Sequence, residues 1–290
     1  MRPTTPSAGS TGIDDLTEVQ DFGTYWAKRE DRFAQFGLDG PTGSKVRQYV
    51  KMAEAAPGAT MIVGCSADSA MQVYVAAAGK HYKVPAVVYV PARAVRTSST
   101  RYAADMGAEL VEIRPGYLSV VRSRARDRAR EIGRVVRWDP NAAFRDTVWQ
   151  CENIPKGVRR VIVPTGSGLT AAAVLAGLCG RRRTRVVAVA VSGMPSASAI
   201  VATALRFLCP HGKLLSGSPE LPPLDLIPPG SPYGVGKAAV LPDETLLDPY
   251  YAAKALPHVK IGDCLWISGR RAFAAFPPSV LAELGLPNGV

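Results

Sequence analysis

The sequence predicts an α/β protein whose sheets are mostly parallel and flanked by helices. Three observations carry this. Between Thr60 and Trp138 short apolar runs alternate with helix-length segments, and strand and helix taking turns gives a parallel sheet with helices on both faces. A second strand–helix–strand unit runs from Arg159 to Val191, with the glycine-rich turn Gly166-Ser167-Gly168 between its first strand and its helix. Finally, 290 residues with 47% hydrophobic and 20% charged side chains suffice for one large or two ordinary domains with a sizeable core.

Residues 1–12 are rich in Pro, Ser, Thr and Gly and are expected to be flexible, with structure beginning at Ile13. After Lys28-Arg29-Glu30-Asp31 and the turn Leu38-Asp39-Gly40-Pro41, Lys45 follows a Gly-Ser pair and opens a helix expected over Val46 to Ala56. A free lysine titrates near about 10.4 and becomes a nucleophile, or the anchor of a carbonyl cofactor, only where a pocket or a neighbouring cation lowers that value. The helix N-terminus and Arg47 supply that setting, although Lys45 taken alone also fits a solvated surface charge. The alternation then reads as strand Thr60–Gly64, helix Ser69–Lys80, strand Ala86–Val90, helix Val95–Met106, strand Glu109–Ile113, helix Leu118–Ile132 and strand Val135–Trp138. This block, residues 48–155, is expected to form the smaller domain.

The next unit begins with a strand and glycine turn in the stretch Arg159–Thr170 and continues through helix Ala171–Leu178 and strand Val186–Val191. Its glycine turn exposes backbone N–H groups at the positive end of a helix dipole, which makes an anion cradle. Glycines at such a turn also serve plain packing. A helix over Ser196–Leu208 follows, and six prolines between Ser216 and Pro232 mark that window as loop.

Composition excludes several chemistries. No run of about 18 apolar residues and no hydrophobic signal core occur, so a cytoplasmic location is expected. Five scattered cysteines and three distant histidines fit no disulfide framework, zinc motif or hydrolase triad. The formal charge is +11, and arginines crowd at 122, 124, 126, 128, 130 and 134 and again at 181–183. Such a field attracts nucleic acid, or it is a solvated helix face.

Lys28-Arg29-Glu30-Asp31 followed by Gly43-Ser44-Lys45-Val46-Arg47 resembles the K-R-E-D and G-x-K-x-R signature of pyridoxal-phosphate enzymes of fold type II, the tryptophan-synthase-β fold. Within them it is most similar to the aminocyclopropane-carboxylate (ACC) deaminase and D-cysteine desulfhydrase family. Gly166–Thr170 resembles that family's G-S-G-G-T loop, with Leu169 in place of a glycine. Ser231-Pro232-Tyr233-Gly234-Val235-Gly236 is similar to G-Y-G-V-P, Leu247–Leu256 to L-D-P-V-Y-T-G-K-A-M, and Cys264–Arg270 to the last strand and its Thr-Gly or Ser-Gly turn.

The resemblance implies a homodimer whose larger, cofactor-binding domain comprises residues 1–47 and 156–290. It implies pyridoxal 5′-phosphate held covalently by Lys45, with Thr165, Gly166, Ser167, Gly168, Leu169 and Thr170 at the phosphate and Ser268, or Gly269 if the match is shifted by one residue, at the ring nitrogen. Lys45, Tyr233 and Tyr251 would move protons or position the substrate. The family's Q-S-N-H-x-R-Q loop corresponds to Ser66-Ala67-Asp68-Ser69-Ala70-Met71-Gln72. Ser66, Ser69 and Gln72 are then expected at the substrate carboxylate, and Asp68 beside the cofactor's phenolic oxygen, where its charge would repel. Met71 for arginine, and Ala252-Ala253 for Thr-Gly or Glu-Gly, set the substrate apart, so ACC deamination itself is not expected.

The expected activity is that of a pyridoxal-phosphate-dependent lyase or deaminase acting on an amino acid through an external aldimine. One alternative is an enzyme tailoring an amino acid or amine attached to a nucleobase in DNA, as in phage-type DNA hypermodification. The other is a non-catalytic binding protein of the same fold, against which intact Lys45 speaks and for which the altered Ser66–Gln72 loop speaks.

Overall fold

The computed structural model describes residues 12–37, 39–191, 193, 195–209, 219–232 and 234–286. The expected flexible stretch, apart from Gly12, and the candidate Tyr233 lie outside the described residues. The chain divides into two units, one of residues up to Arg32 with Pro140–Gly269, the other of Phe33–Asp139 with residues from Arg270 on. Both expected limits are displaced, and residues from Arg270 on, expected with the first unit, fall in the second. Helix Pro140–Trp149 packs on helix Leu169–Gly177 in the first unit, whereas helix Ser44–Ala55 packs on helix Met71–Tyr82 in the second.

The first unit holds six strands in the order Val19–Asp21, Trp26–Arg29, Asp263–Ile267, Arg160–Thr165, Arg185–Ala190, Leu224–Ile227. The first pair is antiparallel and the rest are parallel. Alternation along the central strands explains why they read as continuous apolar runs. Val161, Val163, Val186, Ala188, Cys264 and Trp266 point into one core cluster with the helices Pro140–Trp149 and Leu169–Gly177. Ile162, Val187, Val189, Leu265 and Ile267 point into another, against Leu241, Leu247 and Ala252. Both faces are buried, and each buried aliphatic contributes about 1.5–3 kcal/mol. Leu224–Ile227 corrects the reading of residues 216–232 as loop: the strand fits between the pairs Pro222-Pro223 and Pro228-Pro229, at the sheet edge where neighbouring prolines are tolerated.

The Lys28–Asp31 run lies at the end of strand Trp26–Arg29 and is buried. Lys28 Nζ donates to the carbonyl of Thr17 and to Asn153 Oδ1, both at 2.8 Å, while the Thr17 hydroxyl donates to Glu30 at 2.5 Å. Arg29 forks onto Asp31 and reaches Asp243 at 2.7 Å and Thr245 at 3.0 Å. These charges fasten the N-terminal strand pair to the rest of the unit.

The second unit has four parallel strands in the order Glu109–Ile113, Ala86–Pro91, Thr60–Gly64, Val135–Val136. Strand Thr60–Gly64, strand Glu109–Ile113 and helix Leu118–Ile132 match the expected limits. The last strand stops short of Trp138, whose indole N–H donates to Gln48 instead. No described helix is long and apolar enough to cross a membrane.

Candidate active site

In the second unit Lys45 stands in the first turn of helix Ser44–Ala55, behind an N-cap glycine that brings no capping side chain. Its Nζ lies 6.0 Å from the centroid of the Tyr74 ring on helix Met71–Tyr82. That helix begins just after the loop Cys65–Ala70, at the carboxyl end of strand Thr60–Gly64, where parallel α/β sheets bind ligands. Lys45 and the candidate substrate loop therefore share this edge of the sheet.

The loop is pinned from inside. The carbonyl of Ala67 accepts from Gln72 Nε2 at 2.6 Å, from Thr97 Oγ1 at 2.6 Å and from Thr100 Oγ1 at 3.4 Å. Gln72 thus braces the loop with its amide nitrogen, while its Oε1 is buried with no hydrogen-bond partner. Helix Met71–Tyr82 starts two residues later than expected, because Ser69 lies in the preceding turn, with its hydroxyl accepting from Met71 N at 3.2 Å. Ser66 and Ser69 are half-buried.

Asp68 does not stand as an isolated negative charge. Arg93 donates to its carboxylate at 3.0 Å, so an arginine from beyond strand Ala86–Pro91 offsets the repulsion expected from the sequence. Behind the loop Arg271, fully buried, donates to Ser99 Oγ at 2.8 Å and to the Asp68 carbonyl at 3.3 Å. Burial pushes the Cys65 thiol up to about 12, against the pull of the Ser69 hydrogen bond and of the Arg122 and Lys45 charges. The thiol stays protonated and gives Lys45 no anionic neighbour.

Arg93, Thr97, Thr100 and Arg271 were missed in the sequence. Only the Thr-Ser-Ser-Thr cap of helix Ser98–Asp105, where Thr97 Oγ1 accepts from Thr100 N at 3.2 Å, left a local signal.

In the first unit Thr165 ends strand Arg160–Thr165, Gly166 and Ser167 turn, and Gly168 is the N-cap of helix Leu169–Gly177. Gly168 has φ +88°, and a Cβ there would lie 3.0 Å from Ile200 Cγ1, so only glycine fits without strain. Ser167 is exposed, and Leu169 and Thr170 are half-buried. Thr165 is 2% exposed and its hydroxyl has no hydrogen-bond partner, which ordinarily costs about 1–3 kcal/mol. An unsatisfied hydroxyl behind a helix N-terminus fits an anion such as a phosphate. Half-buried Ser268 follows the neighbouring parallel strand Asp263–Ile267 and emerges at the same carboxyl edge. Half-buried Tyr251 heads the short helix Ala252–Ala255, which packs on strands Arg160–Thr165 and Asp263–Ile267. Lys254 in that helix donates to the carbonyl of Pro232 at 2.9 Å.

Known proteins show the same architecture. The chain is similar to an ACC deaminase homologue, with a TM-score of 0.64 and 18% identity over 91% of this chain and 89% of that one. It is also similar to O-ureido-L-serine synthase, with a TM-score of 0.57 and 15% identity over 98% and 96% of the two chains. Threonine deaminase isoform 2 from Solanum lycopersicum matches with a TM-score of 0.53 and 15% identity over 90% and 77%. At these identities the likeness is one of fold, that of fold type II. No curated protein matches by sequence. The model of the pyridoxal-phosphate dependent enzyme family matches residues 9–213, the stretch that holds Lys45, the serine loop and the glycine cradle, and the chain belongs to that family.

Proposed function

We propose that the protein is a pyridoxal-phosphate-dependent lyase that eliminates or deaminates a free amino acid. The observation that carries this reading is Lys45, at the head of its helix beside Tyr74 and on the same sheet edge as the Ser66–Gln72 loop. Lys45 would hold the cofactor and exchange a proton at the substrate α-carbon, and the N–H groups of Gly166–Thr170 with the Thr165 hydroxyl would hold the phosphate. Bound there, pyridoxal phosphate supplies the electron sink for chemistry at the α-carbon.

Ser66 and Ser69 would donate to the substrate carboxylate, the task left by an arginine position that here is Met71. Tyr251 would position or protonate the leaving side of the substrate. Ser268 would meet the ring nitrogen with a neutral hydroxyl rather than an acid, which favours elimination over amino transfer.

The test is an absorbance spectrum of the protein loaded with pyridoxal phosphate, read against a panel of D- and L-amino acids together with ammonia and 2-oxo-acid release. The expected result is a yellow band that one amino acid perturbs with release of both products. A band that every amino acid leaves untouched refutes the free-amino-acid reading, and failure to take up cofactor refutes the enzyme reading.

A further inference from the structure

The exposed side of helix Leu118–Ile132 carries more charge than solvation requires. Between residues 114 and 137 eight arginines stand against Asp127 and Glu131, with no lysine among them. All eight are exposed. Arg128 pairs with Glu131 at 3.0 Å and Arg130 with Asp127 at 2.9 Å. Arg114, Arg122, Arg124, Arg126, Arg134 and Arg137 have no carboxylate partner among the described residues.

Val121, Ala125 and Ala129 form the buried seam that seats this helix on the sheet, leaving its flanks free. Arg122, Arg126 and Arg130 make one i, i+4 row and Arg124 and Arg128 a second, with successive members about 6 Å apart along the axis. Like charges at that spacing destabilise a helix by about 0.2–0.5 kcal/mol per pair, a cost that a bound polyanion removes.

The side-chain types narrow the polyanion. Guanidinium forks suit phosphate oxygens better than ammonium groups do. Tyr117, the N-cap of the helix, is 83% exposed and presents a ring on which a base can stack. Past Val120 the exposed side lacks the large apolar residues that would enter a lipid layer.

We propose that this helix face binds the phosphate backbone of a nucleic acid, with Tyr117 stacked on a base. The face also adjoins the candidate substrate loop. A Cβ on Gly64 would lie 2.8 Å from the Val121 carbonyl and 3.0 Å from Arg122 Cα, so the first arginine abuts the strand end that leads into Cys65 and Ser66. A strand held on the arginine rows passes next to that loop. The proposal stands on the helix alone and does not depend on which reaction the enzyme performs.

The experiment is a fluorescence-anisotropy titration of the full-length protein with a fluorescein-labelled oligonucleotide, single-stranded and duplex, between about 50 and 200 mM salt. Affinity is expected to fall steeply with salt, and R122E/R124E/R126E to weaken binding at least about tenfold and flatten the log–log salt slope by about two to three. Tyr117→Ala should weaken the single strand more than the duplex, and R182Q/R183Q, on the other arginine block, should change neither. Unaltered melting temperature checks the fold, and R122Q/R124Q/R126Q serves in its place should charge reversal unfold the helix. An oligonucleotide that does not bind overturns the proposal. So does a triple variant that keeps wild-type affinity and salt slope, or tighter binding to phosphatidylserine vesicles than to the oligonucleotide.

Discussion

Replacing Gln150 by leucine measures how firmly the N-terminal strand pair is held. Gln150 is 1% exposed; its Oε1 accepts from the backbone N–H of Thr17 at 2.9 Å, and its Nε2 donates to the Asp15 carbonyl at 2.8 Å. The Thr17 hydroxyl also lies 3.1 Å from Oε1, but its single proton goes to Glu30 at 2.5 Å, so that contact is no third bond. Leucine nearly conserves volume, which keeps the cavity small. It strands the Thr17 N–H, in a residue 0% exposed, at about 1–3 kcal/mol, and gives up the bond to Asp15 at about 1 kcal/mol. The expected loss is about 2–4 kcal/mol, or about 5–15 °C in melting temperature for a unit of this size. Urea titration followed by far-UV circular dichroism reads it, and a cycle with Thr17→Val should show the two sites coupled. A loss below about 1 kcal/mol with an unchanged urea slope refutes the account of the buried knot.

Three further outcomes follow from the geometry. Lys45→Ala should abolish cofactor fixation by borohydride while the circular dichroism spectrum stays unchanged; a variant that still retains fixed cofactor places the anchor on another lysine. Thr165→Val should weaken pyridoxal-phosphate binding about tenfold in an equilibrium titration with no loss of stability in the cofactor-free protein, because the hydroxyl has no partner there to lose. Asp243 is pulled up by burial, but the hydrogen bond and charge of Arg29 outweigh this and hold its carboxyl below the usual value. The unfolded chain therefore takes up the proton first, so the Arg29–Asp243 contribution is complete above about pH 4–5 and is lost as pH falls toward the lowered value. Melting temperatures measured from neutral to acid pH should decline less steeply in Asp243→Asn than in the wild type.

The alternation of strand and helix was legible because strands such as Thr60–Gly64 and Arg160–Thr165 are buried on both faces and carry nothing but apolar or small residues inside. Other elements were hidden for physical reasons. Helix Pro140–Trp149 buries only Ala143, Phe144 and Thr147 over its ten residues, too few to set a period. Its signal was the Asp139-Pro140 start, since proline suits the first helical position. Strand Leu224–Ile227 was masked by its flanking prolines, which argue against a strand interior but not against an edge. The Lys28–Asp31 motif was legible as a signature and not as a mechanism: it clamps the chain to nearby Thr17 and to Asn153 and Asp243, far away in sequence. Likewise Asp68 was readable as a departure, whereas its neutralisation by Arg93 depends on two loops meeting above adjacent strands.

Strand Leu224–Ile227 also bears on how the protein behaves at high concentration. A sheet that ends in an open strand offers unpaired backbone groups to any passing chain, and recruitment of a second edge is how such sheets polymerise. Here that margin is four residues long, and Pro222, Pro223, Pro228 and Pro229 close it on both sides with residues that have no N–H to give. An incoming strand would find a register too short to hold before meeting a ring at either end. The same prolines that conceal the strand from a reader of the sequence conceal it from other molecules.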